Sequence, residues 1–202
     1  MFSARYIEMM KQDNFDLPTS KQLEEELGRV RYRARYRNVL RSTIYTLITV
    51  AAIAVLVATL LLPVLQIYGS SMTPTLTDGD IVLTLKTTEF EQGDVVAFYY
   101  NNKILVKRVI AKSGEWVDIT PEGDVYVNDK LLDEPYLTEK ALGDCNIEFP
   151  YQVPESRVFV MGDHRSVSID SRNTAVGCVA EEQIVGKLMY RVWPFSQFGE
   201  IG

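Results

Sequence analysis

Histidine is nearly missing from this chain of 202 residues: His164 is the only one, and Cys145 and Cys178 are the only cysteines. One imidazole and two thiols argue against a structural zinc site, and two cysteines permit one bridge without requiring it. Positive charge is scarce where a nucleic-acid partner would need it. Residues 1–41 carry nine Lys/Arg against six Asp/Glu (+3), while residues 42–202 carry twelve against twenty-one (−9). Phosphate backbones are bound by clustered cations, so nucleic acid is not expected as a partner of the larger part. Charge of either sign is absent from Ser42 to Thr77.

That uncharged stretch holds the first positive signal. Thr43–Leu62 is built almost entirely of Ile, Leu, Val, Ala and Thr, and about twenty such residues cross a bilayer as a helix. A buried core helix seldom runs so long without a charge, and the apolar region of a cleavable secretory signal is shorter and lies nearer the N-terminus. An uncleaved anchor over residues 42–65 is therefore expected. Arg29, Arg31, Arg33, Arg35, Arg37 and Arg41 precede it, with no acidic residue between Gly28 and Arg41. By the positive-inside rule this puts residues 1–41 in the cytoplasm and residues 66–202 across the membrane. Leu23–Leu27 suggests a short helix after Pro18 in the leader, to which no chemistry is assigned.

Beyond the anchor the pattern changes to short β-rich runs separated by turn residues: Ile81–Leu85, Val95–Tyr100, Ile104–Ile110, Trp116–Ile119, Val125–Val127, Val158–Met161 and Ile184–Val192. Hairpin turns are expected at Asn101-Asn102 and Asn128-Asp129. Gly-Asp pairs at 79–80, 93–94, 123–124, 143–144 and 162–163 read mostly as turns, with glycine at positive φ and aspartate as cap. Asp133–Pro154 is irregular and reads as a surface excursion from the sheet framework. The fold class is thus mainly β: an N-terminal transmembrane helix followed by an antiparallel β-sheet domain.

Four segments then fall in order. Gly69-Ser70-Ser71-Met72-Thr73-Pro74-Thr75-Leu76 with Gly79-Asp80 resembles the nucleophile segment of type I signal peptidases, and Gly93-Asp94-Val95-Val96-Ala97-Phe98 is similar to that family's next strand. Lys107-Arg108-Val109-Ile110 with Gly114-Glu115 resembles the segment bearing its catalytic lysine. Met161-Gly162-Asp163-His164-Arg165 through Ser168, Asp170, Ser171 and Arg172 resembles its last signature. Together these cover residues 69 to about 192.

The resemblance implies a serine endopeptidase of signal-peptidase fold that needs no cofactor, with Ser71 as nucleophile and Lys107 as general base. Elementary chemistry agrees, because a serine hydroxyl needs a base and histidine is nearly absent. Lysine, with an ordinary pKa near 10.4, can serve only if desolvation or cationic neighbours lower that value. In an alternating strand Lys107 shares a face with Leu105 and Val109 while Arg108 points oppositely, which sets the lysine stem among apolar side chains. A lysine snorkelling from a sheet edge is the ordinary alternative, and the Ser71 segment outweighs it.

By resemblance Ser168 orients the lysine, Asp170 and Arg172 form a buttressing pair, and Asp163 with Arg165 forms a second one. Glycine at 69 replaces a serine that many members use toward the oxyanion, so a backbone donor there is expected to act with the Ser71 amide. Ser166, Val167 and His164 also depart from the common pattern. His164 as base is the weaker reading, since the family places a lysine in that role.

The resemblance and topology imply secretory preproteins as substrates, cut after an Ala-x-Ala-like sequence at the outer face of a bacterial cytoplasmic membrane, with the lipid bilayer as the other partner. A self-cleaving repressor-type Ser/Lys protease is a rival, but a span stands where a DNA-binding domain should be and neither Ala-Gly nor Cys-Gly occurs. A specialised pilin-type peptidase and a non-enzymatic membrane-tethered β scaffold are the other rivals; retention of Ser71 and Lys107 opposes the scaffold. The orientation is checked by adding protease to intact protoplasts. The C-terminal domain should be digested and a tag on residue 1 spared, and the reverse pattern rejects the topology.

Overall fold

The structure is a computed structural model and describes residues 18–87 and 89–201. The leader reading for residues 1–17 lies outside these. Two compact units divide between Val55 and Leu56.

Helix α1 runs without a break over Ser20–Leu61, 42 residues and about 63 Å at 1.5 Å per residue. Its start is fixed by Thr19, whose N–H and hydroxyl both donate to Gln22 Oε1 at 3.0 Å, a side chain returning to cap the first turn. Pro63 ends it, since the ring removes a donor and disfavours helix in the residue before it. The expected leader helix and anchor are thus one element, because nothing between Leu27 and Ser42 breaks a helix. Among the described residues this is the one helix long and apolar enough to cross a membrane, and its side chains from Thr43 to Leu60 are exposed.

The second unit is β. Strands β1 (Val64–Gln66), β2 (Ile81–Leu85), β3 (Val95–Tyr100), β4 (Lys103–Ala111), β9 (Arg157–Met161), β10 (Val179–Ala180), β11 (Ile184–Trp193) and β12 (Gly199–Glu200) form one antiparallel sheet in the order β1-β2-β11-β3-β4-β9-β10, with β12 on β11. Strands β5 (Trp116–Ile119), β6 (Val125–Val127), β7 (Lys130–Leu131) and β8 (Tyr151–Gln152) form a second sheet ordered β7-β6-β5-β8. Val64 and Leu65, assigned to the anchor from sequence, instead pair with Leu83 and Val82 of β2.

Alternation along β3 puts Val95 and Ala97 in one apolar cluster, with Ile67, Met72, Leu76, Val82 and Leu188, and Val96 and Phe98 in another, with Val109, Val158 and Val160. A third cluster joins the two sheets through Ile110, Phe159 and Met161 on one side and Val117, Ile119 and Val125 on the other. Cys178 packs in that third cluster, and it and Cys145 are both free thiols.

The irregular stretch after β7 is not a loose excursion. Its Glu134 is 8% exposed, and the carbonyls of Ala141 and Leu142 accept from buried Arg172. Gly143 takes a φ of +66°, and a Cβ there would overlap the Arg165 carbonyl and stand 2.7 Å from Arg172 Nη1, so glycine lets this strap close over the arginines.

All three clusters lie within residues 65–201, and the first contact of the sheet is Pro63, whose carbonyl accepts from the Thr84 amide at 2.9 Å. A chain starting at Leu62 should therefore fold with a β-dominated circular dichroism spectrum. Starting at Tyr68 removes β1 and buried Ile67 and should lower stability by about 2 kcal/mol or more. Equal urea midpoints for the two would reject this account of β1.

Candidate active site

The turn following β1 carries Ser71, half-buried, into contact with β4, where Lys107 is 3% exposed. Lys107 Nζ stands 2.6 Å from Ser71 Oγ. The strand register explains the approach. Lys107 pairs with Val96, and its face neighbours Leu105 and Val109 belong to the same apolar cluster as Val96, as alternation predicts. Strand β9 joins β4 only from Arg108 onward, so the first half of β4 is an open edge beside Ser71.

Burial is the first cause that lowers the Lys107 ammonium, to about 8; Asp170 opposes it, Arg172 reinforces it and Asp163 opposes it. About a tenth of the lysine is then a neutral base at pH 7.

A cleft of about 650 Å³ opens on this pair, lined by Leu65–Gly69, Ser71, Met72 and Lys103–Lys107. Its walls are mostly apolar, and two polar groups capable of chemistry converge at its floor, the usual form of a site that encloses a substrate.

The loop after β9 closes the other side of Ser71. The His164 amide donates to the Ser71 carbonyl at 3.0 Å, and the Gly162 amide donates to Asp170 Oδ2 at 2.9 Å. Gly162 differs from the other Gly-Asp glycines, which sit at positive φ. A Cβ at 162 would overlap Ser168 Oγ and lie 2.5 Å from the Ser71 carbonyl oxygen, so close approach, not turn conformation, requires glycine here.

Three buried ion pairs frame the site. Arg172 donates from Nε and Nη2 to both oxygens of Asp170 at 2.8 Å, the pair expected from sequence. The second expected pair does not form. Asp163 instead takes Arg108, at 2.9 Å from Nε and 2.7 Å from Nη2, and Arg165 takes Glu134. The resemblance pairs Asp163 with Arg165; in the fold each faces a strand or strap distant in sequence. Sequence reasoning passed over Arg108, although a charge on each face of one buried strand already calls for a buried counter-charge.

Two further expectations need correction. Gly69 N–H donates to Asp78 Oδ1 at 2.7 Å, which commits the amide expected to serve an oxyanion, whereas the Ser71 N–H has no protein acceptor among the described residues. Ser168 is fully buried beside Gly162, but its Oγ has no hydrogen-bond partner and does not hold Lys107. His164 receives a contact from Thr73 Oγ1 at Nδ1, 2.9 Å, and makes none with Ser71 Oγ.

Known proteins resemble this chain in sequence. The sequence pattern of the family described as signal peptidase, peptidase S26, covers residues 40–193. The chain belongs to that family. This signal peptidase is accordingly a serine endopeptidase, a hydrolase. It is 42% identical over 153 residues to signal peptidase IB of Staphylococcus aureus, spanning 65% of this chain and 78% of that protein. With signal peptidase I of Bacillus licheniformis the identity is 33% over 177 residues, 80% of this chain and 92% of the relative. A crystal structure of a signal peptidase I from Enterococcus faecalis V583 is 28% identical, covers 50% of this chain and 97% of its own, and superposes with a TM-score of 0.41. Family membership rests on the two sequence relatives and the family pattern.

If the Gly162 contact sets the Ser71 position, Gly162→Ala in this signal peptidase should lower kcat on the order of 10²-fold, the cost of displacing reacting groups by about 1 Å. The Tm should fall by only a few degrees. Steady-state cleavage beside a thermal melt checks it, and near-normal kcat rejects the tight approach.

Proposed function

We propose that this signal peptidase is a membrane-anchored endopeptidase that removes N-terminal signal peptides from exported preproteins, cutting after an Ala-x-Ala-like sequence with Ser71 as nucleophile and Lys107 as base. The observation that carries the reading is the 2.6 Å approach of Lys107 Nζ to Ser71 Oγ at the floor of an apolar cleft.

The neutral amine accepts the Ser71 proton as Oγ bonds to the scissile carbonyl carbon. The developing oxyanion takes the Ser71 N–H, which is free for it. The lysine ammonium then protonates the leaving amide nitrogen, the C–N bond breaks, and the mature N-terminus departs. Water gives its proton to the lysine, attacks the acyl-serine ester and restores the Ser71 hydroxyl on release of the signal peptide. A preprotein filling the cleft expels water around Lys107 and lowers its proton affinity further, in the direction burial already drives it. Asp170 and Arg172 support this chemistry by fixing Gly162. Ser168, buried against Gly162, packs the same loop into place.

Substrate choice follows from an extended chain added to the open edge of β4 at Lys103–Val106. In such a strand the first and third residues upstream of the bond point the same way, into the apolar wall, and small ones fit against Leu65, Ile67 and Met72.

Residues 42–63 are read as the anchor, since β1 takes up Val64 and Leu65, with the leader cytoplasmic and the catalytic unit outside. Gln66, Ile81 and Trp193 lie in one row across β1, β2 and β11, which gathers exposed Tyr68, Trp193, Phe195 and Phe198 toward the end of the sheet next to the nucleophile turn. Trp193 packs edge-on against Phe195 at 5.0 Å. Aromatic side chains of this kind favour the headgroup region, where a translocated preprotein emerges.

Ser71→Ala, Lys107→Ala and Lys107→Arg should each lose preprotein cleavage by at least about 10²–10⁴, since arginine stays protonated and cannot accept the proton. His164→Ala should lose far less. For the unaltered enzyme log(kcat/KM) should rise with pH to a midpoint near 8, because the active form carries the deprotonated lysine. Near-normal turnover by Lys107→Ala with loss in His164→Ala would overturn the assignment.

A further inference from the structure

The carboxylate of Glu134 and the ring of Tyr136 are used by none of the steps above, yet both are set against the groups that hold the site. The Tyr136 ring covers the Arg108 guanidinium, with Cζ 3.8 Å from the ring centroid, as a stacked cation requires. Arg108 also donates to Asp163 and, from Nη1, to the Gly93 carbonyl at 2.7 Å, so ring and acceptors together fix its plane. Asp163 Oδ2 in turn accepts from Thr75 Oγ1 in the nucleophile turn. The Tyr136 hydroxyl donates to Glu134 Oε1 at 3.0 Å, and burial and the Glu134 charge both keep that hydroxyl protonated. Glu134 receives both Nη groups of Arg165, and Arg165 Nε donates to the Gly162 carbonyl at 3.1 Å.

These contacts form a closed chain. One end, through Arg108 and Asp163, reaches Thr75; the other, through Arg165, reaches Gly162, whose Cα packs on the Ser71 carbonyl. Both ends terminate on groups in or against the turn that carries Ser71, and both originate within residues 134–136 of the strap.

We propose that Glu134 and Tyr136 are positioning residues for catalysis, holding Gly162 and Asp163 through Arg165 and Arg108 so that the nucleophile turn stays seated against β4. This rests on the Ser71/Lys107 reading. The groups that face Lys107 are Ser71, Asp170 and Arg172 from the loop after β9, and Asp163. None of them is Glu134 or Tyr136, so any effect of the strap on the lysine passes through packing. Seating keeps water from the amine, and water readmitted by a loosened clamp raises the lysine back toward its ordinary value.

The test is kcat, KM and the pH dependence of kcat for cleavage of a model preprotein by the full-length enzyme in detergent micelles, with thermal melts beside them. Tyr136→Ala should lower kcat roughly tenfold to a hundredfold with KM nearly unchanged. Its ascending limb should move to higher pH by roughly half a unit or more. Tyr136→Phe keeps the ring over Arg108 and should restore both the limb and kcat to within a few-fold. If Tyr136→Ala does not fold, Glu134→Gln, which preserves shape and ring, is the informative variant and should show the same upward shift.

A lowered Tm with an unmoved limb and normal kcat makes the strap merely structural and overturns the proposal. So does a Tyr136→Phe enzyme as impaired as Tyr136→Ala. Absence of any lysine limb in the unaltered enzyme overturns the Ser/Lys reading instead, which separates the two failures.

Discussion

The ion pair between Arg108 and Asp163 is the constraint on which the rest of the unit depends. Both side chains are at most 1% exposed, two parallel hydrogen bonds join them, and the aspartate also takes a threonine hydroxyl from the turn that carries Ser71. Removing two charges from water is expensive, and the pair repays it only because the fork geometry and every remaining donor are satisfied. Loss of one partner leaves a bare buried charge, which typically costs about 3–5 kcal/mol. The pair fastens β4 to the loop after β9 and to the turn after β1, the three segments whose meeting makes the site.

The other two ion pairs extend the same design. Arg172 has acceptors in Asp170 and in the carbonyls of Ala141, Leu142 and Arg165, and Arg165 has them in Glu134 and Gly162. Each of these two arginines thus bridges the loop after β9 to the strap. The lysine is the exception among the buried cations here: it has no carboxylate bonded to it, only a hydroxyl, and that is why burial can depress it.

Much of this was legible in the chain. Seven strands follow from alternation and turn residues: six are four to ten residues long, and the three-residue β6 is marked by a turn pair on either side of it. Strands β1, β7, β8, β10 and β12 have two or three residues each, too few for any period to register. Lys107 among Leu105 and Val109 was readable from a period of two. The pairing of Asp163 with Arg108 was not, since the resemblance pointed to Arg165, and the partners come from a strand and a loop brought together only by the fold. The irregular stretch from Asp133 hid its role because its contacts are carbonyls and single side chains, which leave no pattern.

The hydrogen bond from the His164 amide to the Ser71 carbonyl has one more effect. The turn carrying Ser71 is bonded to the loop after β9, and that loop is folded back on itself, with the amides of Val167 and Ser168 both bonded to the His164 carbonyl. Neither segment can be drawn out into an extended strand without first breaking the contacts that seat Ser71 beside Lys107, so each locks the backbone of the other.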